Sequence, residues 1–392
     1  MINLFRQSNY HKLKWIILLD RLGLDTLGYY RKTCFQFGLI SRLYRSCKAS
    51  RYMDSSLFCQ LNDSNRVEFK FSESCFALQS DKYKFYIFKH LVSINPKKSL
   101  EMVRGSNFNH PLVEITKITL NPKDYPEDIA LSVLNIVCDS RYYLNRYNYF
   151  LSCGYQETLS CLNDFLVSTN VLPVALKDVQ SPFYIDNIKL ENKVSAVNKG
   201  PMVSVIMTAY NEAELISSAV ESLVNQTYKS LQIVFVDDAS VDKTQDIFIE
   251  TCFRLGFKSF KCLRMKEKSG PFITRNLGIQ SADGDLISFH DADDWAHPQR
   301  IENQAKVITH GNFVASISQL VRVTQDGVLF SRHFYPINRM AMSSLMIKKN
   351  VVHDLGYFFV DVLGSDTEYV ERIKLFYGEK KIINIKKILK KI

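Results

Sequence analysis

The sequence lacks any apolar run long enough to cross a lipid bilayer. The best candidate, residues 15–19, is five residues long and is flanked by Lys12, Lys14 and Arg21, whereas a spanning helix needs about 20 residues. The sequence also lacks the apolar core and small-residue cleavage site of a secretory signal. These absences predict a protein that is neither exported nor membrane-spanning, and we expect it in the cytoplasm.

Paired cysteines are missing as well. The nine cysteines are an odd number, and no two of them form a Cys-x-x-Cys pair. This pattern disfavours both a disulfide framework and a thiolate zinc site. Scattered cysteines are typical of small buried hydrophobic residues in a reducing compartment.

A net positive charge is lacking in the middle of the chain and is confined to its two ends. Of the net charge of +10, residues 1–51 contribute +8 and residues 378–392 contribute +5, which leaves −3 for residues 52–377. Ends that mix basic and apolar residues suit an anionic membrane surface. Solvated basic faces explain them equally well, so peripheral binding at the inner membrane is one of two interpretations.

Residues 1–190 are predicted to be a mainly helical domain of unclear role. Residues 10–47 show a helical pattern, whereas residues 66–90 fit either a strand or a helix. Pro126, followed by acidic residues, suits the first turn of a helix, and another helix is predicted over residues 158–167. Residues 191–201 lack periodicity and end in Gly-Pro, which indicates a linker.

From residue 202 to residue 377, short apolar strands alternate with helices, which predicts an α/β fold with a mostly parallel central sheet. Ligands of such sheets bind beyond the carboxyl ends of the strands. Because polar clusters follow three of the predicted strands, we expect them to converge on one rim. The clusters are 210–211, 237–238 and 291–294, and Asn211 with Glu214 is predicted to form a helix capping box.

Two carboxylates at the end of one predicted strand, Asp291 and Asp293, carry the sharpest chemical signal. Side chains two residues apart at a strand exit can both reach one cation, and Mg²⁺ or Mn²⁺ prefers oxygen ligands. A site with only two or three carboxylates leaves coordination positions open for substrate phosphates. The alternative is an acidic turn that caps the following helix, with Pro298 at its start.

Three further residues are candidates on weaker grounds. Asp238 suits a base N–H or a ribose hydroxyl, or else a helix cap. Arg275 suits a diphosphate or a base, or is simply solvated. Asp366 suits a general base for an acceptor hydroxyl, or else caps the start of a helix.

Taken together, these motifs resemble those of the family 2 glycosyltransferases. Each motif is weak alone, but six of them occur in the order and spacing of that family, within residues 202–377. They are Val203–Asn211, Asn225–Tyr228, Val236–Ser240, Thr274–Gly278, Asp291–Asp294 and Gly364–Tyr369.

The resemblance implies a GT-A nucleotide-sugar-binding fold and a nucleotide-diphosphate sugar donor, with a UDP-sugar as the first choice. Carried over by position, it implies that Thr208, Tyr210 and Glu212 line the nucleotide pocket. Asp238 would contact the uracil or the ribose, and Arg275 would lie near the nucleotide.

The resemblance also implies a divalent ion, Mn²⁺ or Mg²⁺, and inversion at the anomeric carbon. Asp291 and Asp293 would form the diphosphate–metal motif, with Asp293 the more direct ligand. Asp366 would be the catalytic base and Glu368 its competitor for that role. Trp295 would help to shape the acceptor side.

The family analogy predicts transfer to a growing bacterial capsule or O-antigen glycan, carried on a lipid at the inner face of the membrane. Similar enzymes continue past the base motif with a further strand and helices, whereas residues 378–392 are interpreted here as a basic tail. Two alternatives stay open: a nucleotidyltransferase, and a catalytically impaired scaffold that binds glycan or membrane. No nucleic acid partner is expected, because the basic residues do not cluster on the nucleotide-binding half.

Overall fold

The computed structural model describes residues 84, 85, 88, 92, 96–104, 106–126, 143–154, 158–192, 195–330, 337–360 and 365–391. The helix predicted at 10–47 and the basic segment 1–51 lie outside these residues, as does most of the helix predicted from Pro126. Within the ambiguous segment 66–90, the described positions 84, 85 and 88 are helical.

The described N-terminal segments are mainly helical, as predicted. In α2 the His110 Nδ1 atom accepts a hydrogen bond from the Leu112 N–H at 3.1 Å, which caps the helix, and Leu112, Ile115 and Ile118 form its buried stripe. A two-stranded hairpin that the sequence did not predict follows the last helix. These elements are α1 (Pro96–Val103), α2 (Pro111–Leu120), α3 (Tyr143–Cys153), α4 (Thr158–Ser168), β1 (Val174–Leu176) and β2 (Ile188–Leu190).

A 10-stranded sheet forms the centre of the described structure, in the order β5-β4-β3-β6-β11-β8-β12-β7, with β9 and β10 paired to β8. The first four strands in this order, β5, β4, β3 and β6, are parallel to one another. Strand β11 is antiparallel to both of its neighbours. The predicted α/β fold with a mostly parallel sheet is thus confirmed. The strands are β3 (Val203–Ala209), β4 (Leu231–Asp237), β5 (Phe260–Arg264), β6 (Leu286–Asp291), β7 (Trp295–Ala296), β8 (Ala315–Val323), β9 (Leu329–Phe330), β10 (Arg339–Met340), β11 (Met346–Lys348) and β12 (Ile382–Lys391).

Helices cover both faces of this sheet, which is why β3 and β4 are buried along their whole length. One core contains α5, α6 and α8 with Val205 and Phe235, and the other contains α7, α9 and α10 with Ile206 and Val234. The helices are α5 (Ile216–Val224), α6 (Thr244–Arg254), α7 (Pro271–Ser281), α8 (Arg300–His310), α9 (Lys349–Leu355) and α10 (Ser365–Tyr377).

A glycine allows α7 to cross the sheet closely. A Cβ atom at Gly278 would lie 2.3 Å from the Ile206 side chain of β3, well inside van der Waals contact. The glycine of the 274–278 motif therefore serves helix–sheet packing, which holds the start of α7 near the ends of β3 and β6.

The structure corrects the interpretation of residues 378–392 as a basic tail. Residues 382–391 form β12, which pairs in parallel with β8 and antiparallel with β7. Register irregularities between Ile385 and Ile388, and between Ile388 and Lys390, interrupt the alternation expected of a strand. The buried residues are therefore spaced as in an amphipathic helix, which explains the wrong interpretation; they are Ile382, Ile385, Ile388 and Leu389.

The N-terminal helices pack against the β8–β12–β7 side of the sheet. One continuous core joins residues of α2, α3 and α4 to Trp295, Val321 and Leu389. Polar contacts fix the alignment, since the Asn148 carboxamide exchanges two hydrogen bonds with the backbone of Leu329, at 2.6 and 2.8 Å. Among the described residues, no helix has both the length and the apolar character needed to cross a membrane.

A buried histidine links the N-terminal unit to β7. The His297 Nδ1 atom accepts from the Gln299 N–H at 3.1 Å, so the Nε2 atom carries the proton and donates to the Leu172 carbonyl at 3.0 Å. Burial lowers the pKa of His297 to about 4. The ring is therefore neutral in the folded protein at pH 7.

We expect this histidine to make stability dependent on pH. The unfolded chain takes up a proton near the ordinary pKa of about 6.5, whereas the folded chain does so only near 4. The contribution of the neutral His297 ring to the free energy of unfolding is complete above pH 6.5. It falls by about 3 kcal/mol as the pH falls towards 4. Urea unfolding from pH 7.5 to pH 4 should show a flatter dependence for His297→Gln than for the parent protein.

The exposed His353 provides the matched control, because its side chain is 90% accessible. His353→Gln should follow the parent curve. If His297→Gln also follows the parent curve, the buried neutral ring is not the source of the dependence.

Candidate active site

The polar clusters predicted to follow the strands do meet at one rim. Thr208 lies opposite Asp291 in the β3–β6 pairing, and Ala209 lies opposite Asp237 in the β3–β4 pairing. The Ala292 N–H donates to the Thr208 carbonyl at 3.3 Å. The register of three buried strands thus places Asp291, the first residue of the predicted metal motif, beside the loops that follow β3 and β4.

The loops after β3 and β4 are tied to each other, which corrects the predicted capping box. The Asn211 side chain accepts from the Val241 N–H at 2.9 Å, and the Asn211 N–H donates to Ser240 Oγ at 2.9 Å. Helix α5 begins later, after Leu215, without a side-chain cap. Asn211 therefore joins two rim loops, a role that depends on a residue 30 positions away and leaves no local signal.

Both loops contain a non-glycine residue in the left-handed region. Asn211 has a φ of 57° and Ala239 has a φ of 60°. Such residues cost roughly 1–3 kcal/mol each and concentrate at functional sites. The hydrogen bonds between the two loops stabilise these backbone conformations.

The two aspartates at the end of β4 have different roles. Asp237 is fully buried and accepts hydrogen bonds from the backbone and hydroxyl of Ser240. Asp238 accepts from the N–H groups of Ser269, at 2.7 Å, and Gly270, at 2.9 Å. An ionised carboxylate has about four acceptor sites, so Asp238 can position this loop and still contact a ligand.

A lysine that the sequence analysis did not single out lies over the predicted nucleotide-pocket residue Tyr210. The Lys268 Nζ atom is 3.5 Å from the centre of the Tyr210 ring, a cation–π contact. Lys268 lies 58 residues after Tyr210 in the chain. Its contact places a positive charge beside a pocket predicted to hold phosphates.

Arg275 lies between the metal motif and the candidate base. It donates to Asp291 at 2.6 Å, and its side chain is only 9% exposed. Burial acts to lower the pKa of Arg275, but the charge of Asp291, with contributions from Asp366 and Asp294, raises it overall. The guanidinium therefore stays charged and offsets part of the negative charge of Asp291.

The rim concentrates negative charge in a way that fits a divalent cation. Burial raises the pKa of Glu212 to about 7, and the charges of Asp293, Asp242 and Asp291 add to that effect. Asp293 is exposed and Asp291 is partly buried. Within the described ranges, no group of three metal-ligating side chains is close enough to enclose an ion. The arrangement suits a hard cation that two carboxylates hold and a diphosphate completes.

Arg300, which the sequence analysis did not identify, binds the end of β6, the strand that leads into the predicted metal motif. It is fully buried. Its guanidinium donates to Ser288 Oγ at 3.0 Å and to the Phe289 carbonyl at 2.6 Å, and it contacts the His290 ring at 3.0 Å. Its Nε atom donates to Gln304 at 3.1 Å. One side chain thus joins the last residues of β6 to α8.

The buried arginine also supplies charge. Burial lowers the pKa of Arg300 to about 10, while the carboxylates of Asp294 and Asp291 act to raise it. Arg300 remains cationic at neutral pH and lies within electrostatic range of both aspartates. The metal motif therefore has a fixed positive charge on its buried side.

We expect Arg300→Met to lower the free energy of unfolding by about 3–5 kcal/mol, because it leaves several buried acceptors without their donor. Arg300→Lys should recover only part of this loss, since an ammonium cannot reproduce the planar fork. Urea unfolding measures both. The matched control is Arg254→Met, whose side chain is 55% exposed and should cost less than about 1 kcal/mol. Equal losses for the two methionine variants would contradict this role for Arg300.

The two candidate bases occupy the first turn of α10 but have different surroundings. Glu368 is buried and accepts from the Arg372 Nε and Nη2 atoms at 2.9 and 2.8 Å. Arg372 also donates to the carbonyls of Leu355 and Tyr357. Glu368 is thus held in a structural ion pair, whereas Asp366 is only partly buried and acts electrostatically on Arg275. These surroundings favour Asp366 for chemistry.

Comparison with known proteins gives a family match over the segment that contains most of this rim. A family model described as glycosyl transferase family 2 matches residues 204–360. A Haemophilus influenzae protein named only as an uncharacterized glycosyltransferase is 26% identical over 182 residues, which cover 42% of this chain and 72% of that protein. A Rickettsia felis protein of the same description is 35% identical over 127 residues, covering 32% of this chain and 20% of that one.

The chain also has a weak similarity to a solved structure. The mannosyltransferase PcManGT from Pyrobaculum calidifontis, in complex with GDP-Man and Mn²⁺, is 21% identical with a TM-score of 0.41, covering 52% of this chain and 60% of that one. The matched family segment contains the rim from Thr208 to Asp293 and the sheet that builds it. Residues 204–360 are therefore similar to a family 2 glycosyltransferase domain.

Proposed function

We propose that the protein is an inverting glycosyltransferase that takes a sugar from a nucleotide-diphosphate donor, by preference a UDP-sugar. The observation that supports this proposal is the hydrogen bond from Arg275 to Asp291 at the strand rim, together with the electrostatic effect of Asp366 on the same arginine. Separate acidic groups for the donor and the acceptor are what a direct displacement needs.

The donor half of the site would consist of the loops after β3, β4 and β6. Thr208, Tyr210 and Glu212 would line the nucleotide pocket, with Asp238 at the base or ribose. Asp291 and Asp293 would hold Mn²⁺ or Mg²⁺, which when bound neutralises the charge that develops on the departing diphosphate. Arg275 orients Asp291 through their 2.6 Å hydrogen bond.

The acceptor half would centre on Asp366. Its carboxylate would take the proton from the acceptor hydroxyl as the oxygen attacks the anomeric carbon, on the face opposite the diphosphate. A single displacement of this kind inverts the anomeric configuration and needs no protein nucleophile. Trp295, buried two residues after Asp293, would help to shape this side.

The acceptor is proposed to be a growing bacterial capsule or O-antigen glycan, lipid-linked at the inner face of the membrane. The basic residues of the 1–51 segment, which mix with Trp15 and other apolar residues, support peripheral binding there. Pelleting with anionic vesicles at low and high salt tests this part, and a fraction bound that does not change with salt would count against it.

The experiment for the reaction itself is a panel of UDP- and GDP-sugars with Mn²⁺ or Mg²⁺, with nucleotide diphosphate release as the readout. Release that depends on the metal is the expected result. Release of pyrophosphate instead would indicate a nucleotidyltransferase. Intact protein that neither binds nor turns over any member of the panel would contradict both enzymatic functions and favour the scaffold.

A further inference from the structure

Adjacent residues of α7 bind two different elements of the structure. Arg275 donates to Asp291, in the metal motif, at 2.6 Å. Asn276 instead exchanges two hydrogen bonds with the backbone of Phe358. Its carboxamide donates to the Phe358 carbonyl at 2.9 Å and accepts from the Phe358 N–H at 3.0 Å. Successive side chains leave a helix about 100° apart, so one turn of α7 holds both partners.

Phe358 belongs to the bridging segment, residues 355–359, which leads from the end of α9 towards α10. All five carbonyl groups of this segment accept hydrogen bonds from side chains. The donors are Arg372 to Leu355 and Tyr357, Tyr369 to Gly356, Asn276 to Phe358 and Ser365 to Phe359. The bridging segment is therefore bonded to side chains of both α7 and α10.

The ring of Phe358 packs at the junction of the same elements. It is buried, and its centroid lies 4.6 Å from that of Tyr369 in α10 and 5.7 Å from that of Phe272 in α7. The ring of Phe289, which lies in β6 two residues before Asp291, is 5.2 Å away. The bridging segment thus contacts the strand that leads into the metal motif as well as both helices.

The bridging segment is also bonded to the first residue of α10. Helix α10 starts at Ser365, which is fully buried and donates through its hydroxyl to the Phe359 carbonyl. The candidate base, Asp366, is the next residue. A continuous series of contacts therefore runs from Asn276 through the backbone of Phe358 and Phe359 to the residue that precedes Asp366.

The placement of a general base has a large effect on the rate of a reaction. The base must lie within about 2.6–3.2 Å of the group whose proton it takes, and a displacement of about 1 Å costs on the order of 10²-fold in rate. Buried backbone N–H and C=O groups are almost always paired. Removal of the Asn276 carboxamide therefore favours a rearrangement of the bridging segment and, with it, of the start of α10.

We propose that Asn276 is a positioning residue for Asp366. Through the backbone of Phe358, it holds the start of α10 in the place that transfer requires. This inference rests on the proposed transferase function, and it gives α7 two tasks. Arg275 orients the carboxylate of Asp291 on the donor side, and Asn276 orients the base on the acceptor side.

The test separates positioning from stability. Asn276→Ala removes both hydrogen bonds to Phe358. The matched control is Asn148→Ala, because the Asn148 carboxamide makes the same pair of hydrogen bonds with a backbone N–H and carbonyl, at 2.8 and 2.6 Å, in the N-terminal unit. Ser365→Ala is a smaller change in the same series of contacts and replaces Asn276→Ala if that variant does not fold. Asp366→Asn and the double variant Asn276→Ala/Asp366→Asn complete a double-mutant cycle.

Three quantities are measured for each variant. Urea unfolding gives the stability, and calorimetry gives the affinity for UDP and GDP with Mn²⁺. Release of nucleotide diphosphate from the donor that the panel identifies gives kcat and the donor KM. The acceptors in this assay are water and the methyl glycosides of glucose, galactose, mannose and N-acetylglucosamine.

Asn276→Ala should lower kcat about 10²-fold, with the donor KM and the nucleotide affinity within about twofold of the parent values. Asn148→Ala should shift the urea midpoint by a similar amount but keep kcat within about twofold. Ser365→Ala should lower kcat about five- to tenfold. In the Asp366→Asn background, Asn276→Ala should cost less than about threefold, because the effects of residues that act as a unit are not additive.

Three results would overturn this role for Asn276. A kcat for Asn276→Ala as high as that for Asn148→Ala would show that its hydrogen bonds serve stability alone. A full additional loss in the Asp366→Asn background would show that Asn276 acts independently of the base. Weakened nucleotide affinity would place its effect on the donor side, through Arg275. Absence of metal-dependent release by the parent protein would contradict the proposed function and, with it, this inference.

Discussion

Asp366→Asn is expected to lower sugar transfer about 10²- to 10⁴-fold, the range attributed to a general base, while nucleotide binding stays intact. The substitution preserves shape and an acceptor oxygen, so the contact from the Thr367 N–H, at 2.7 Å, and the start of α10 survive. What it removes is the ability to accept a proton. Single-turnover transfer from the donor identified in the panel measures the effect.

Glu368→Gln is the matched control, because Glu368 lies two residues after Asp366 in the same turn of α10. The amide oxygen still accepts from Arg372, but the charge of the buried pair is lost, so stability should fall by about 1–3 kcal/mol with little change in transfer. If Asp366→Asn transfers at the parent rate, or if Glu368→Gln shows the larger loss of transfer, the base has been assigned to the wrong carboxylate.

Asp293→Asn is expected to lower metal-dependent turnover about 10³-fold, because a metal contributes several kcal/mol to neutralising a leaving group. Asn keeps the size of the side chain and loses its charge. Asp293 is exposed, so the fold should not change. Turnover across a range of Mn²⁺ concentrations should show a lost or strongly weakened response, and chelation should inactivate the parent protein.

An independent readout comes from Trp295, which is one of two tryptophans in the chain. In a Trp15→Phe background, Mn²⁺ with UDP or GDP should quench its fluorescence, and Asp293→Asn should remove the quenching. Asp246→Asn, on the exposed face of α6, is the carboxylate control. Quenching and turnover that persist in Asp293→Asn would mean that the ion binds elsewhere.

The strands that build the site could be predicted because each one carries its own signal. Buried parallel strands are continuous apolar runs, so the predictions for residues 203–207 and 231–236 fall within β3 and β4 as observed. The convergence of the polar clusters follows from the rule that ligands bind at the carboxyl ends of such strands. The register between β3 and β6 sets Thr208 opposite Asp291 and so brings the residues that follow these strands to one place.

What failed depended on contacts between distant residues. The sequence of β12 resembles an amphipathic tail, because the register irregularities of this strand go with a helical spacing of isoleucines. Asn211 was assigned to the nearest helix, although its side chain bonds to the neighbouring loop. The rule for capping boxes uses only local sequence. The strands that pair with β12 and the loop that binds Asn211 are both distant in the chain.

The supporting residues were missed for a related reason. A lone arginine at position 300 is unremarkable in a sequence, and only the fold shows that Arg300 is completely buried behind Asp291 and Asp294. Lys268 is likewise unremarkable until the fold places it over the Tyr210 ring.

The most direct test of the account is a calorimetric titration of UDP and GDP into the intact protein, with Mn²⁺ and with a chelator. One of the two nucleotides should bind with Mn²⁺ and lose most of its affinity with the chelator. Asp293→Ala should abolish that binding, whereas Asp366→Asn should retain it. Failure of the intact protein to bind either nucleotide, or parent-like binding by Asp293→Ala, would contradict the assignment of this rim as a metal-dependent nucleotide-sugar site.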